Sequence, residues 1–160
     1  MDKYIVSRYT SLPMPTRATI RLSDYQALAD LRYQVRRFLR VRELAARKIG
    51  VAPRHYQLLL ELKGLEGRRP ATIGALAERL QLHHHSIVGL IDRLVARRLV
   101  RRRPDPRDGR QVVIQLQPRG ETVLRRLALH SLGELRMDGP ALVAALTRVL
   151  RTSRRARRPA

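Results

Sequence analysis

Apolar residues recur along this chain at helical intervals, interrupted once by a stretch that alternates as a hairpin does. From Ser23 onward, Leu28, Leu31, Val35, Phe38, Ala45 and Ile49 follow steps of three, four and seven. That spacing predicts a long amphipathic helix ending near Gly50, with Ser23 and Gln26 at the spacing of a capping box. Such a helix is longer than a compact small domain needs, so it is expected to serve an interface as well. Pro53 opens a second helix containing Tyr56, Leu59, Leu60 and Leu62, and Gly64 to Arg69 forms a breaker-rich loop. Thr72 then caps a short helix through Leu80, with Ile73, Leu76, Ala77 and Leu80 on one face. A further helix, His84 to Arg98, carries Ile87, Leu90, Ile91 and Leu94 as one apolar stripe.

The period then changes. Val100 to Arg103 and Gln111 to Leu116 read as strands, and the turn between them holds two prolines, two aspartates and Gly109. Pro118 opens another helix with Val123, Leu124, Leu127 and Ala128 on one side, continuing towards Met137. Asp138-Gly139-Pro140 is expected to break it. Leu142, Val143, Ala145, Leu146, Val149 and Leu150 then form a last short helix, too apolar to stand alone and therefore pointing to a partner surface. Residues 1–22, with Pro13 and Pro15, read as an arm, and residues 151–160 as a basic tail.

Composition narrows what such a chain can do. A length of 160 residues supports one domain with terminal extensions. The net charge is +21 and the pI about 11.8, which favours an anionic partner, nucleic acid before membrane. Lys3, Lys48 and Lys63 are the only lysines, so arginine carries the charge, and its planar fork suits phosphate and guanine. A genome rich in arginine codons produces the same excess, so the positions of the arginines must decide. No cysteine is present, which excludes disulfides, thiolate metal sites and thiol redox sensing. No apolar run is long enough to span a bilayer and no signal-peptide core is evident, so the expected location is cytoplasmic.

The order long helix, helix, helix-turn-helix, hairpin, helix, helix resembles the MarR family of winged-helix transcriptional regulators over roughly Asp24 to Leu150. Three fragments carry the resemblance. Asp105-Pro106-Arg107-Asp108-Gly109-Arg110 is similar to the family's wing signature. The stretch Ile73 to Leu80 is similar to its first reading-head helix. Ile91-Asp92-Arg93-Leu94 followed by Leu99-Val100-Arg101 is similar to the end of its recognition helix and the entry to the wing. The resemblance implies a mainly α fold with a small β-hairpin (α+β), a winged helix-turn-helix whose long helices form a dimerisation region. Residues 53–117 are then the DNA-binding lobe, and residues 23–52 with 118–150 the dimerisation region. It further implies a homodimeric, sequence-specific regulator, a repressor on a pseudo-palindromic operator, which a small aromatic acid or other effector releases. Two departures stand out: His83 occupies a slot where a Ser or Thr cap is common, and Gly89 one where a basic residue is common.

Helical geometry identifies candidate DNA contacts. With Ile87, Leu90, Ile91 and Leu94 turned inward, His85, Val88, Gly89, Asp92 and Arg93 point outward. His84, His85 and Ser86 sit at the amino-terminal end, which in helix-turn-helix proteins enters the major groove. Either imidazole or the hydroxyl can read a base or hold a phosphate, and Val88 can meet a thymine methyl. The resemblance places Arg107 in the minor groove, where negative potential concentrates. Asp105 reads as a brace that fixes the turn and orients Arg110, since a carboxylate repels phosphate. Arg101, Arg102 and Arg103 alternate across a strand, so not all face one groove; Arg101 and Arg103 are the candidates. By the same resemblance, Arg54, His55 and Tyr56 would line an effector pocket, the alternative being a core Tyr56 with exposed neighbours.

His83, His84 and His85 do not form a metal site, because consecutive helical residues point about a hundred degrees apart. No catalytic motif is present, so neither an enzyme nor a cofactor is expected. Two rivals remain. A non-specific nucleic-acid-binding or architectural protein accounts for the charge alone, and a protein-interaction module that lost DNA reading conflicts with the intact wing arginines.

Overall fold

The computed structural model describes residues 20–155. The expected arm over residues 1–19 and the end of the basic tail, residues 156–160, lie outside the described residues. Five helices and one hairpin follow in order: α1 (Leu22–Lys48), α2 (Pro53–Leu65), α3 (Ile73–Leu80), α4 (His84–Ala96), β1 (Val100–Pro104), β2 (Val112–Leu116) and α5 (Pro118–Arg155). The fold is mainly α with a small antiparallel hairpin, as the periodicity predicts.

Three expectations are corrected. The first helix starts at Leu22 without a Ser23 cap; the Asp24 carboxylate reaches back to accept the Arg21 amide at 2.9 Å. That bond satisfies an amide that the first turn leaves without a helical partner. Asp138-Gly139-Pro140 does not end the fifth helix, which runs unbroken for 38 residues with Pro140 inside it. Proline removes one amide donor and crowds one carbonyl, a local cost that a helix anchored beside it can absorb. The anchor is an ion pair from Asp138 to Arg37 at 2.8 Å. The expected last short helix and residues 151–155 of the expected tail therefore belong to α5.

Two compact units divide the described chain: residues 36–140, and residues 20–35 with 141–155. Residues 36–52 and 118–140 lie in the same compact unit as the winged helix. Ala46, Leu124 and Leu127 share one core with Leu58, Leu59, Leu76, Ile87, Ile91, Leu94 and Leu99. Polar bonds reinforce that packing, since the Tyr56 hydroxyl lies 2.8 Å from Ser131 Oγ and Arg42 donates to the Phe38 and Ser131 carbonyls. In the smaller unit Ala27 and Ala145 are buried and Asp30 pairs with Arg148 at 2.8 Å. Leu22, Tyr25, Leu28, Tyr33, Val143 and Leu146 remain exposed there.

Within the larger unit, β1 and β2 pair antiparallel with Arg101 opposite Gln115 and Arg103 opposite Val113. A bridge from Thr72 to Val113 and a bond from the Ile114 amide to the Ala71 carbonyl fasten the hairpin to the entry of α3. The other end of the hairpin meets α5 at an unusually close backbone approach. The Leu99 carbonyl accepts the Gln117 amide at 3.0 Å, and a Cβ on Gly120 would lie 2.0 Å from the same oxygen. Only glycine fits there without displacing backbone. Gly120→Ala should therefore lower stability by about 1–3 kcal/mol, as overpacking does. An unchanged denaturation midpoint would contradict this close approach.

His55 carries a second consequence for stability. It is 7% exposed, and its Nδ1 has no hydrogen-bond partner among the described residues. Burial, and then the guanidinium charges of Arg93 and Arg97, push its pKa below the ordinary value. As pH falls, the unfolded chain protonates at the ordinary value of 6.5 while the folded imidazole stays neutral to lower pH. Stability is thus complete above that value and is lost as pH falls towards the folded pKa. In thermal melts between neutral pH and pH about 5, His55→Phe should flatten the decline seen in the parent. Parallel pH profiles for parent and variant would refute this assignment.

Candidate nucleic-acid interface

The reading head is built from α3, a tight turn and α4. Thr72 caps α3, its hydroxyl accepting the Ala75 amide at 3.2 Å. The helix ends where Gln81 adopts a left-handed conformation, with φ of 52°, and the Leu82 amide closes on the Ala77 carbonyl. That reversal aims α4 away from α3. Ion pairs from Arg79 to Glu61 and from Arg69 to Glu78 hold α3 to α2 and to the preceding loop. The stripe Ile87, Leu90, Ile91 and Leu94 is fully inside, which fixes the rotation of α4 about its axis.

The amino-terminal end of α4 is open. His83 takes the cap position without a side-chain bond, and its ring stacks on His85, centroids 5.5 Å apart and planes within 7°. His84 and His85 are exposed, while Ser86 and Val88 are half-buried. The stack orients His85 and leaves His84 separate, and no cluster with metal-ligand geometry occurs among the described residues. Arg93, at the far end of the helix, is exposed and lies close enough to His55 to depress its pKa.

Strand alternation sorts the three wing-entry arginines. Arg102 follows the same face as buried Val100 and pairs with Asp92 of α4 at 2.7 Å. Arg101 and Arg103 project from the opposite face, and both are exposed. Periodicity alone left Arg102 open. The Asp92 pairing, which couples the wing to the recognition helix, has no local sequence signal because it joins two elements across ten residues.

At the wing tip, Asp105 is only 6% exposed, and its Oδ1 accepts the Arg107 amide at 2.9 Å. The Asp105 amide donates to the Gln111 carbonyl at 2.8 Å, closing the loop. Asp105 thus holds the backbone of the turn. The expected link from Asp105 to Arg110 is not formed; the Arg110 amide donates to Asp108 Oδ1 at 3.1 Å instead. Two short aspartate turns in succession leave the Arg107 and Arg110 side chains exposed at the tip.

The expected effector residues do not converge. Arg54 is exposed, His55 and Tyr56 are buried, and the Tyr56 hydroxyl is engaged by Ser131. A cavity of about 520 Å³ lies elsewhere, between the α2–α3 loop and the wing. Arg68 of that loop and the wing tip share this cavity. Periodicity could not place Arg68 there, because the Thr72–Val113 bridge and the Ile114–Ala71 bond that bring the loop to the hairpin are tertiary.

Among curated proteins, none matches this sequence. A family model described as MarR family matches residues 49–111. The structure is similar to AbsC, a MarR family transcriptional regulator from Streptomyces coelicolor, with a TM-score of 0.65 at 22% identity over 77% of this chain and 82% of that one. It is similar to MepR, a transcription regulator of a multidrug efflux pump from Staphylococcus aureus, with a TM-score of 0.64 at 16% identity over 76% and 93% of the two chains. A MarR mutant from E. coli complexed with operator DNA gives a TM-score of 0.59 at 18% identity over 77% and 89%. Residues 49–111 thus match the MarR family model, and the chain as a whole shares the fold of these solved structures.

Proposed function

We propose that this protein is a DNA-binding transcriptional regulator that reads a duplex as a homodimer. The observation that carries the reading is the division of labour among its arginines and histidines. His84, His85, Arg101, Arg103, Arg107 and Arg110 are exposed on the reading head and wing, while Asp92 and Asp105 are spent on holding those elements. A coat protein needs positive charge but has no use for a braced wing. The amino-terminal end of α4, with His84, His85, Ser86 and Val88, enters the major groove and supplies base contacts. Arg107 enters the adjacent minor groove, and Arg101, Arg103 and Arg110 take phosphates. Arg93, exposed at the far end of α4, contributes a phosphate contact at the edge.

Dimerisation follows from exposed apolar surface on the two long helices. Leu22, Tyr25, Leu28, Val143 and Leu146 lie open in a single chain, together with Leu129, Leu132 and Met137 of α5. A soluble monomer rarely leaves so much apolar surface on two helices. A two-fold pair of reading heads then selects a pseudo-palindromic site. Occupying such a site within a promoter excludes polymerase, so repression is the proposed mode. An effector that alters the spacing of the heads releases the operator. No step of this reading calls for catalysis.

Binding of a selected operator and of random duplex, both titrated against salt, tests the assignment. Arg107→Ala should weaken the operator by about 1–3 kcal/mol and random duplex much less, so that the specificity ratio falls. Equal losses on both duplexes would favour the non-specific coat instead. No loss on either would remove Arg107 from the interface.

A further inference from the structure

Two positions of α4 forgo stability that other residues would supply. The first is the cap, where a Ser or Thr hydroxyl would accept an amide of the first turn. His83 makes no such bond; its extended backbone, with φ of −67° and ψ of 148°, lets its ring lie against that of His85. Residues two apart in a regular helix do not face each other, so the stack depends on this cap conformation. The second position is Gly89, inside the helix, where glycine is less stable than alanine because its backbone loses more freedom. Gly120 is glycine because the Leu99 carbonyl leaves no room for a Cβ. Gly89 has no such internal reason. A Cβ there would meet no atom within 4 Å, and its backbone is not left-handed.

The neighbours of Gly89 indicate what its open side meets. His85 lies one turn before it, Val88 beside it, and Asp92 nearly one turn after it. Asp92 is committed to Arg102 of the wing. Between His85 and Asp92 the outward side chains are short, and Gly89 has none. Short side chains reach the floor of a major groove, about 8.5 Å deep, only if the helix backbone comes close. A missing Cβ beside a valine leaves an apolar notch the size of one methyl group. The apolar group that base pairs project into the major groove is the C5-methyl of thymine.

From an imidazole stack one turn ahead of an unfilled glycine, we propose that Gly89 sets operator preference by taking a thymine C5-methyl against Val88. His83 is a positioning residue, holding the His85 ring to hydrogen-bond the adjacent base pair. This inference rests on the reading of α4 as the recognition helix. It concerns base choice alone, because the wing arginines supply their phosphate contacts whatever stands at position 89.

The probes are an operator selected by the full chain from genomic fragments, and a random duplex of equal length. Gly89→Ala should raise the melting temperature by about 2–4 °C. The same variant should bind the operator about tenfold more weakly and the random duplex unchanged. Replacing operator thymines one at a time by deoxyuridine removes only the methyl. At one position in each half-site this should cost the parent about fourfold, and there it should restore most of the Gly89→Ala loss. Operator affinity unchanged by Gly89→Ala, or a loss that no deoxyuridine relieves, would overturn the notch and leave the DNA reading standing. His83→Ala should weaken operator binding, and His83→Phe, which keeps a ring to stack, should retain most of it. Parent-like affinity in His83→Ala would overturn the positioning role. A parent that selects no common sequence would remove the regulator reading itself, and this inference with it.

Discussion

The Leu99 carbonyl is the joint on which the reading head depends. Its own amide closes the end of α4 on Leu94, and its oxygen receives Gln117 at the start of α5 with Gly120 pressed against it. The end of the recognition helix, the entry to the wing and the start of the long carboxy-terminal helix are thereby tied together at one residue. The residue before it, Arg98, takes a left-handed conformation with φ of 55° to turn the chain. With that joint set, the hairpin leaves the core at one defined angle. The Asp92–Arg102 pair then ties β1 back to α4.

Charge in this protein acts by position. Acidic residues are few, and several of the larger unit hold structure: Asp92 and Asp105 the wing, Glu61 and Glu78 α3, and Asp138 a pair beside Pro140. Apart from Asp105, which holds backbone, these are ion pairs that add little stability singly, yet each engages one arginine that could otherwise meet phosphate. At the wing, Arg101, Arg103, Arg107 and Arg110 are exposed and enter no ion pair among the described residues. A charge of +21 otherwise says only that an anion is welcome.

Much of the fold was legible because it is local. Capping by Thr72, the stripe on α4 and the switch from helical to alternating period each lie within a few residues, and each matches the structure. The failures were tertiary. Asp138-Gly139-Pro140 has the composition of a break, but a distant Arg37 anchors it inside one helix. Ser23 has the residue type of a cap, yet Asp24 reached the free amide first. Of the candidate site, the alternation of Arg101, Arg102 and Arg103 was visible, while the partner that removes Arg102 was not. His55 could not be separated from its exposed neighbour Arg54 by sequence, since both adjoin apolar positions at the start of one helix.

The central claim is that position, and not charge, decides what this protein binds. Selection of genomic duplex fragments by the full chain at physiological salt tests it most directly. The account predicts that the retained fragments share an inverted repeat whose half-sites lie about one helical turn apart. Fragments enriched without any common sequence would contradict it and leave a basic protein that coats DNA.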